Sequence, residues 1–132
     1  MGGTAYFIVK NSGNILIDCP TWQPTAATWL AEHGGVAKLV LTNRVAHGQV
    51  RAMQAELDCA VVVQEQEAYL LPNIPRVEPF GDRVELAPDL HVIWTPGFSP
   101  GSACVLYQAD GGILFSGRHL LPDRQGHPVP LR

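Results

Sequence analysis

The fold is decided by residues 39–63, which read LVLTNRVAHGQVRAMQAELDCAVVV. The runs 39–41 and 60–63 at its two ends are wholly apolar, which is typical of strands buried on both faces. Between them, apolar side chains at Val50 and Met53 repeat with the period of a helix, predicted from about 46 to 57. Strand, helix and strand in this order predict a right-handed crossover between parallel strands.

The segment before this core predicts a hairpin and another helix. Residues 6–9 and 15–17 are rich in β-branched and aromatic side chains, and the Asn- and Gly-containing stretch 11–14 between them is a turn signal. Pro24 then begins a helix, which the pair 34–35, Gly-Gly, is expected to end.

The second half of the chain is predicted to be an antiparallel meander. Proline and glycine interrupt the sequence from Leu71 onward, and short strands follow at 83–86, 91–95, 103–107 and 113–115. The chain is therefore predicted to be a layered α/β protein with a mixed sheet. We expect a single domain over 1–132, with an α/β part at about 1–71, a β-meander at about 76–121 and a tail at 122–132.

Composition restricts the classes of function. The chain has 132 residues, of which 46% are hydrophobic and 16% charged, and its net charge of -3 argues against a nucleic-acid or membrane partner. Thirteen Gly and eleven Pro make a helical bundle improbable. The three cysteines, Cys19, Cys59 and Cys104, have no CxxC spacing, so we predict reduced thiols in a cytoplasmic protein.

Chemistry is expected in the loops that follow strands, and four segments there resemble landmarks of the metallo-β-lactamase fold. Residues 14–18 look like its early strand ending in Asp, and 39–47 like the strand leading into its HxHxDH metal loop. Residues 95–102 resemble its PGHTPGS loop, and 114–120 resemble the strand ending in its TGDHL-type motif. The resemblance is to hydrolase-like proteins of the cyanobacterial and plant type. It implies the layered αββα fold, with the C-terminal part missing or shortened here.

The resemblance also implies a metal centre, because active members hold one or two ions, usually zinc, and use a bound hydroxide. The resemblance places Asn43 at the first histidine of the metal loop and, in an alignment without a gap there, Val45 at the second. It places Ala46 at the aspartate and His47 at the last histidine. We therefore expect no metal ligands in this loop.

Two further positions that the resemblance aligns with metal ligands also carry residues that differ from those of the family. Phe98 stands in the place of the histidine of the PGHTPGS loop, and Arg118 in that of the bridging aspartate. The counterpart of the final histidine ligand is expected beyond residue 132. No metal or other cofactor is therefore predicted.

The candidate site is predicted to bind an unknown small molecule or an anion such as phosphate or carboxylate. Its cationic side chains would hold the anion, or the arginines would instead pair with nearby acids such as Asp18 and Asp123. Asp18 itself is expected to accept backbone N–H bonds or to pair with an arginine. The candidate ligand-binding residues are Asp18, Asn43, Arg44, His47, Phe98, Arg118 and His119.

Three hypotheses for function follow. The first is a non-catalytic binding or scaffold protein. The second is a metal-dependent or metal-independent hydrolase of an ester or phosphoester, with His47 as candidate base and Arg44 or Arg118 stabilising an oxyanion. For His47 the alternative is a hydrogen-bonded residue at the start of a helix. The third is a subunit that completes its sheet by pairing with itself or another chain, and hence a homo-oligomer or partner subunit.

Overall fold

The computed structural model describes residues 5–19, 23–43, 50–96, 99–108, 112–115, 120–122 and 128–130. Within these ranges it contains strands, two helices and a 3₁₀ turn at Ala68–Leu70. The helices are α1 (Pro24–Glu32) and α2 (Val50–Leu57). The strands are β1 (Tyr6–Ile8), β2 (Ile15–Ile17), β3 (Lys38–Val40), β4 (Ala60–Gln64), β5 (Val77–Phe80), β6 (Arg83–Ala87), β7 (Leu90–Trp94), β8 (Ala103–Tyr107), β9 (Ile113–Phe115), β10 (Leu120–Pro122) and β11 (Pro128–Pro130).

The first sheet is mixed and has the strand order β1-β2-β3-β4-β5. β1 and β2 form the predicted antiparallel hairpin, whereas β2, β3, β4 and β5 run parallel to one another. The helices α1 and α2 connect β2 to β3 and β3 to β4, so the predicted helical connections between parallel strands are confirmed. The predicted beginning of α2, near residue 46, lies outside the described residues.

The second sheet is the predicted antiparallel meander, in the order β6-β7-β8-β9. Each of its strands pairs with the next along the chain. β10 and β11, which the sequence analysis did not predict, pair antiparallel with each other. The mixed first sheet and the antiparallel second sheet confirm a layered α/β architecture.

Two apolar cores lie on the two faces of the first sheet. Leu16, Leu39 and Val61 belong to the core shared with the helices. The neighbouring residues Ile17 and Val40 belong to the core between the two sheets. Successive side chains of a strand point to opposite faces, so the central strands are covered on both sides, as their unbroken apolar runs predict.

Helix α1 begins and ends as its sequence predicts. Pro24 occupies its first turn, where no intrahelical N–H bond is lost. After the helix, the Gly34 N–H donates to the Ala31 carbonyl at 3.3 Å and the Gly35 N–H to the Leu30 carbonyl at 2.8 Å. Both glycines have a positive φ, 99° and 75°, which completes a Schellman ending. Neither α1 nor α2 is long and apolar enough to cross a membrane.

Strand β5 lies in the proline- and glycine-rich segment after Leu71, for which no strand was predicted. Pro79 sits inside it, opposite Val63 of β4. β5 is the last strand of its sheet, so one of its sides has no neighbour among the described strands. A proline at an edge costs no ladder bond when its missing N–H would face outward, which explains how this segment forms a strand.

Asn14 joins the first hairpin to the end of α1. Its buried side chain accepts a hydrogen bond from the Lys10 N–H at 3.0 Å. Its amide nitrogen donates to the carbonyls of His33 and Gly35, both at 3.0 Å. The side-chain amide of Asn14 thus forms hydrogen bonds with backbone groups of the β1–β2 turn and of the turn that ends α1.

Replacing Asn14 is expected to destabilise the protein. Asn14→Ala should lower the free energy of unfolding by about 1–3 kcal/mol, because it removes three hydrogen bonds from a buried position. Urea denaturation followed by circular dichroism measures the change. The control is Asn11→Ala, an exposed position of the same turn. Equal stability of the two variants would contradict this role of Asn14.

Candidate functional site

Polar side chains collect where the parallel strands of the first sheet end. Asp18 directly follows β2, Thr42 and Asn43 follow β3, and Glu67 follows β4. The carboxyl ends of parallel strands lie at one edge of a sheet, which is where sites form in open α/β proteins. The turn 99–102, between β7 and β8 of the second sheet, contacts this edge through a hydrogen bond from Gly101, and Ala103 at the start of β8 adds a second hydrogen bond.

Asp18 holds the ends of β2 and β3 together. Its Oδ1 accepts the Thr42 N–H at 2.8 Å, and its Oδ2 accepts the Thr42 hydroxyl at 2.5 Å. Its own N–H donates to the Val40 carbonyl at 2.8 Å. The backbone at Asp18 has a φ of 63°, a conformation that aspartate adopts more readily than most residues. Asp18 thus accepts a backbone N–H bond, one of the two roles predicted for it.

Thr42 is the centre of this edge, although the sequence analysis assigned it no role. Besides its bonds to Asp18, its hydroxyl accepts from the Asn43 amide at 3.3 Å. Its carbonyl accepts the Ala103 N–H of β8 at 2.8 Å, which ties the first sheet to the second. Asn43 and Thr42 are both buried. The signal in the sequence was the position of Thr42, a hydroxyl residue immediately after an apolar run.

Glu67 is the second acidic residue of this edge and was not predicted. It is fully buried, and its Oε2 accepts the Gly101 N–H at 2.9 Å. A Cβ on Gly101 would lie 2.5 Å from the Glu67 Cγ, so only glycine fits there. The Ser102 hydroxyl closes the same turn by accepting the Ser99 N–H at 2.9 Å. Pro100-Gly101 was a recognisable turn signal, but its carboxylate partner lies 34 residues earlier.

Two of the predicted site residues, Asp18 and Asn43, lie in the described part of the chain, and Thr42 connects them. The others lie outside it: Arg44, His47, Phe98, Arg118 and His119, together with Val45 and Ala46. Among the residues that the structure describes, no three His, Cys, Asp or Glu side chains form a group that could hold a metal ion.

The thiol of Cys19 lies beside the carboxylate of Asp18 in the chain. Burial raises its pKa to about 12, and the negative charge of Asp18 adds to the increase. Burial also raises the pKa values of Cys59 and Cys104. All three thiols are free and stay protonated near neutral pH. Burial and the neighbouring carboxylate together disfavour the thiolate of Cys19.

Comparison with known proteins identifies the fold. No family model matches the chain, and no curated protein matches it. Among solved structures, TTHA1623 in a di-iron-bound form has a TM-score of 0.71 at 25% identity, over 97% of this chain and 70% of that one. BLEG-1, a B3 metallo-β-lactamase, has a TM-score of 0.69 at 23% identity, over 89% of this chain and 67% of that one.

A third similar structure is an N-acyl homoserine lactone hydrolase with the product N-hexanoyl-L-homoserine at its catalytic metal centre. Its TM-score is 0.64 at 15% identity, over 83% of this chain and 60% of that one. The chain thus spans about 60% of the length of this hydrolase, and 55% of a B3 metallo-β-lactamase with an active-site glutamic acid. With its layered sheets and its polar strand ends, the chain has the metallo-β-lactamase fold, as the four sequence landmarks predicted.

Substitution of Gly101 is expected to show how closely the turn 99–102 packs on Glu67. Gly101→Ala should lower the free energy of unfolding by about 1–3 kcal/mol, because its Cβ would overlap the Glu67 side chain. Gly81→Ala is the matched control, since a Cβ there meets nothing within 4 Å. Thermal and urea denaturation measure both. A Gly101→Ala variant as stable as Gly81→Ala would contradict this packing.

The raised pKa of Cys19 predicts slow alkylation of the folded protein. With a pKa of about 12, only about one Cys19 in ten thousand is thiolate at pH 8, and the labelling rate should rise with pH up to pH 10. Iodoacetamide labelling, located by peptide mass spectrometry, measures this, with the urea-unfolded protein as control. Burial of the neutral thiol contributes fully to stability below the unfolded pKa, and less as the pH rises above it. Labelling of folded Cys19 at the unfolded rate would contradict the prediction.

Proposed function

We propose that this chain is a non-catalytic binding protein of the metallo-β-lactamase fold, without a competent metal site, whose ligand is a small molecule or an anion. The observation that carries the proposal is the set of side chains at the end of β3. Asn43 stands where the fold's metal loop begins, and its amide group donates to the Thr42 hydroxyl. An amide held in this way is a poor substitute for an imidazole ligand of zinc.

The rest of the metal loop supports the same conclusion. Residues 43–48 read NRVAHG, which contains one imidazole and no carboxylate. An ungapped alignment with HxHxDH would move His47 to the aspartate position and Gly48 to the last histidine, and it again leaves a single imidazole. A catalytic zinc site uses three protein ligands. The residues present therefore do not fit the zinc centre that the fold family implies, and no step of the proposed function uses a metal.

The hydrogen bonds of the Asp18 carboxylate agree with a structural role for this side chain. Both of its oxygens accept hydrogen bonds from Thr42, at 2.8 and 2.5 Å. These bonds fix the ends of β2 and β3 relative to each other. Hydrogen bonds within the protein thus hold the strand-end edge in shape, and such supporting bonds preorganise a binding site.

The proposed ligand class follows from the charges that the sequence supplies. Arg44 and Arg118 are always protonated, and a guanidinium binds phosphate or carboxylate through two parallel hydrogen bonds. In our proposal Arg118, which stands in place of a metal-bridging aspartate, supplies positive charge where the fold's other members hold cations. His47 and His119 add hydrogen-bond donors.

The alternative function is hydrolysis, and the solved neighbours favour it. They include a lactone hydrolase and B3 metallo-β-lactamases, which are all hydrolases. In this alternative His47 acts as a general base on an ester or phosphoester, and Arg44 or Arg118 stabilises the oxyanion.

Metal analysis and ligand binding separate the two functions. We expect the purified protein to contain far less than one equivalent of zinc, iron or manganese, and inorganic phosphate to raise its melting temperature. Arg118→Gln should reduce that rise. Arg83→Gln is the control, because Arg83 lies on β6 and its guanidinium contacts His91 at 3.1 Å. Elemental analysis and thermal denaturation over a phosphate series are the measurements.

The outcomes are distinct. Stoichiometric metal would overturn the proposal, and so would a phosphate effect that is absent or equal in both arginine variants. Turnover of generic ester or phosphoester substrates that His47→Ala abolishes would establish the hydrolase instead. Turnover that His47→Ala leaves unchanged would exclude His47 as the base.

A further inference from the structure

Glu67 is a buried carboxylate that neither of the two functions above uses. It lies three residues beyond the end of β4, is fully buried, and accepts the Gly101 N–H on its Oε2 at 2.9 Å. Burying a carboxylate is costly unless hydrogen bonds compensate for the lost water. A bond to an ionised acceptor is about twice as strong as a bond between neutral groups. Glu67 therefore holds the turn 99–102 more firmly than a neutral side chain would.

The backbone around Glu67 is fixed by hydrogen bonds within its own segment. The Glu67 N–H donates to the Gln64 carbonyl at 3.0 Å, and the Glu67 carbonyl accepts the Leu70 N–H at 3.1 Å. The side chain of Gln64 is fully buried at the end of β4, and its Oε1 accepts the Gln66 N–H at 2.6 Å. Glu67 thus extends from a tightly bonded turn of the first sheet, so its carboxylate can set the position of whatever it binds.

The turn 99–102 is closed by bonds of its own, so that it moves as one unit. The Ser102 N–H donates to the Ser99 carbonyl at 3.1 Å, and the hydroxyl oxygens of these two serines lie 3.1 Å apart. The indole N–H of Trp94 donates to the Pro100 carbonyl at 2.8 Å and joins the turn to β7. A bond to one residue of this turn therefore acts on the whole of it.

A second bond joins the end of this turn to the strand that precedes Asn43. Ala103 directly follows the turn, and its N–H donates to the Thr42 carbonyl at 2.8 Å. The hydroxyl of Thr42 accepts the amide of Asn43, a candidate ligand-binding residue, at 3.3 Å. Thr42 follows β3 and Glu67 follows the neighbouring strand β4. The two residues thus hold the turn from adjacent strand ends, and a change at Glu67 alters the spacing between the turn and Asn43.

We infer that Glu67 is a positioning residue of the proposed ligand site, because its bond to Gly101 sets the distance between the turn 99–102 and Asn43. The inference rests on the proposed function, since it concerns the binding of the same anion. Supporting bonds of this kind hold a site within about 0.5 Å of its working geometry, and a displacement of about 1 Å can cost about a hundredfold. The charge of a carboxylate, in contrast, weakens the binding of a nearby anion. Geometry and charge therefore predict opposite effects when Glu67 is replaced.

Two substitutions of Glu67 separate geometry from charge. Glu67→Ala removes both the acceptor and the charge, and it should raise the dissociation constant of inorganic phosphate about tenfold. Glu67→Gln removes only the charge, because its amide oxygen can accept the Gly101 N–H, so it should bind phosphate at least as tightly as the wild type. Asn14→Ala is the control, since Asn14 precedes β2 at the end away from Asp18 and its loss should leave phosphate binding unchanged. Isothermal titration calorimetry measures binding at a temperature at which circular dichroism shows each full-length variant folded.

The indole N–H of Trp94 reports the position of the turn without any ligand. Its NMR signal, assigned with Trp94→Phe, should shift in Glu67→Ala and stay in place in Asn14→Ala, because its bond to the Pro100 carbonyl depends on the turn. Gly101→Ala is a second variant at the same contact. It displaces the turn and keeps the carboxylate, since its Cβ would lie 2.5 Å from the Glu67 Cγ, and it should also weaken phosphate binding.

The outcomes separate this inference from the proposed function. Weaker phosphate binding in Glu67→Ala and Gly101→Ala, with binding kept in Glu67→Gln and a shifted Trp94 signal, would support the inference. A wild-type protein that binds no phosphate would overturn the proposed function and the inference together. Wild-type binding that Glu67→Ala leaves unchanged or tightens would overturn the inference alone. The same holds for equal weakening by Glu67→Gln or Asn14→Ala, and for a Trp94 signal that does not move in Glu67→Ala.

Discussion

The burial of the central strands on both faces is the constraint on which the rest of the structure depends. Leu39, Val40 and Val61 are fully buried, and each such side chain contributes about 1.5–3 kcal/mol when it leaves water. A single covering layer would leave half of these side chains exposed. The helices therefore cover one face of the first sheet and the antiparallel sheet covers the other. The layered architecture follows from the largely apolar composition of the central strands β2, β3 and β4.

A sheet covered on both faces has its chemistry at the ends of its strands, where backbone groups lose their ladder partners. In this chain the protein itself satisfies many of these groups. Asp18 binds the Thr42 N–H, the Thr42 carbonyl binds the Ala103 N–H, and Glu67 binds the Gly101 N–H. The first bond joins two strands of the first sheet, and the other two link the first sheet to the second. The site's shape therefore comes from hydrogen bonds between chain segments.

The sequence predicted the elements whose pattern is local. The hairpin, the ends of α1, the parallel strands and the meander follow from alternation, helical period and turn residues, and all appear in the structure. β5 was not predicted, because Pro79 is disfavoured in a strand unless the strand lies at an edge, and edge position is a property of the whole sheet. Glu67 was not predicted as a site residue, because its partner Gly101 is distant in sequence. For Asp18 the structure shows one of the two predicted roles, a hydrogen bond accepted from a backbone N–H, and its part in ligand binding stays a prediction.

The hydrogen bond from the Thr42 N–H to Asp18 has a consequence for the evolution of the protein. It fixes the ends of β2 and β3 with atoms that lie outside positions 43, 45, 98 and 118, which the sequence resemblance aligns with metal ligands. Substitutions at those positions can accumulate while the framework beneath them keeps its geometry. The same independence makes the chain a starting point for protein engineering, in which positions 43, 45, 98 and 118 are varied while Asp18 and Thr42 are kept.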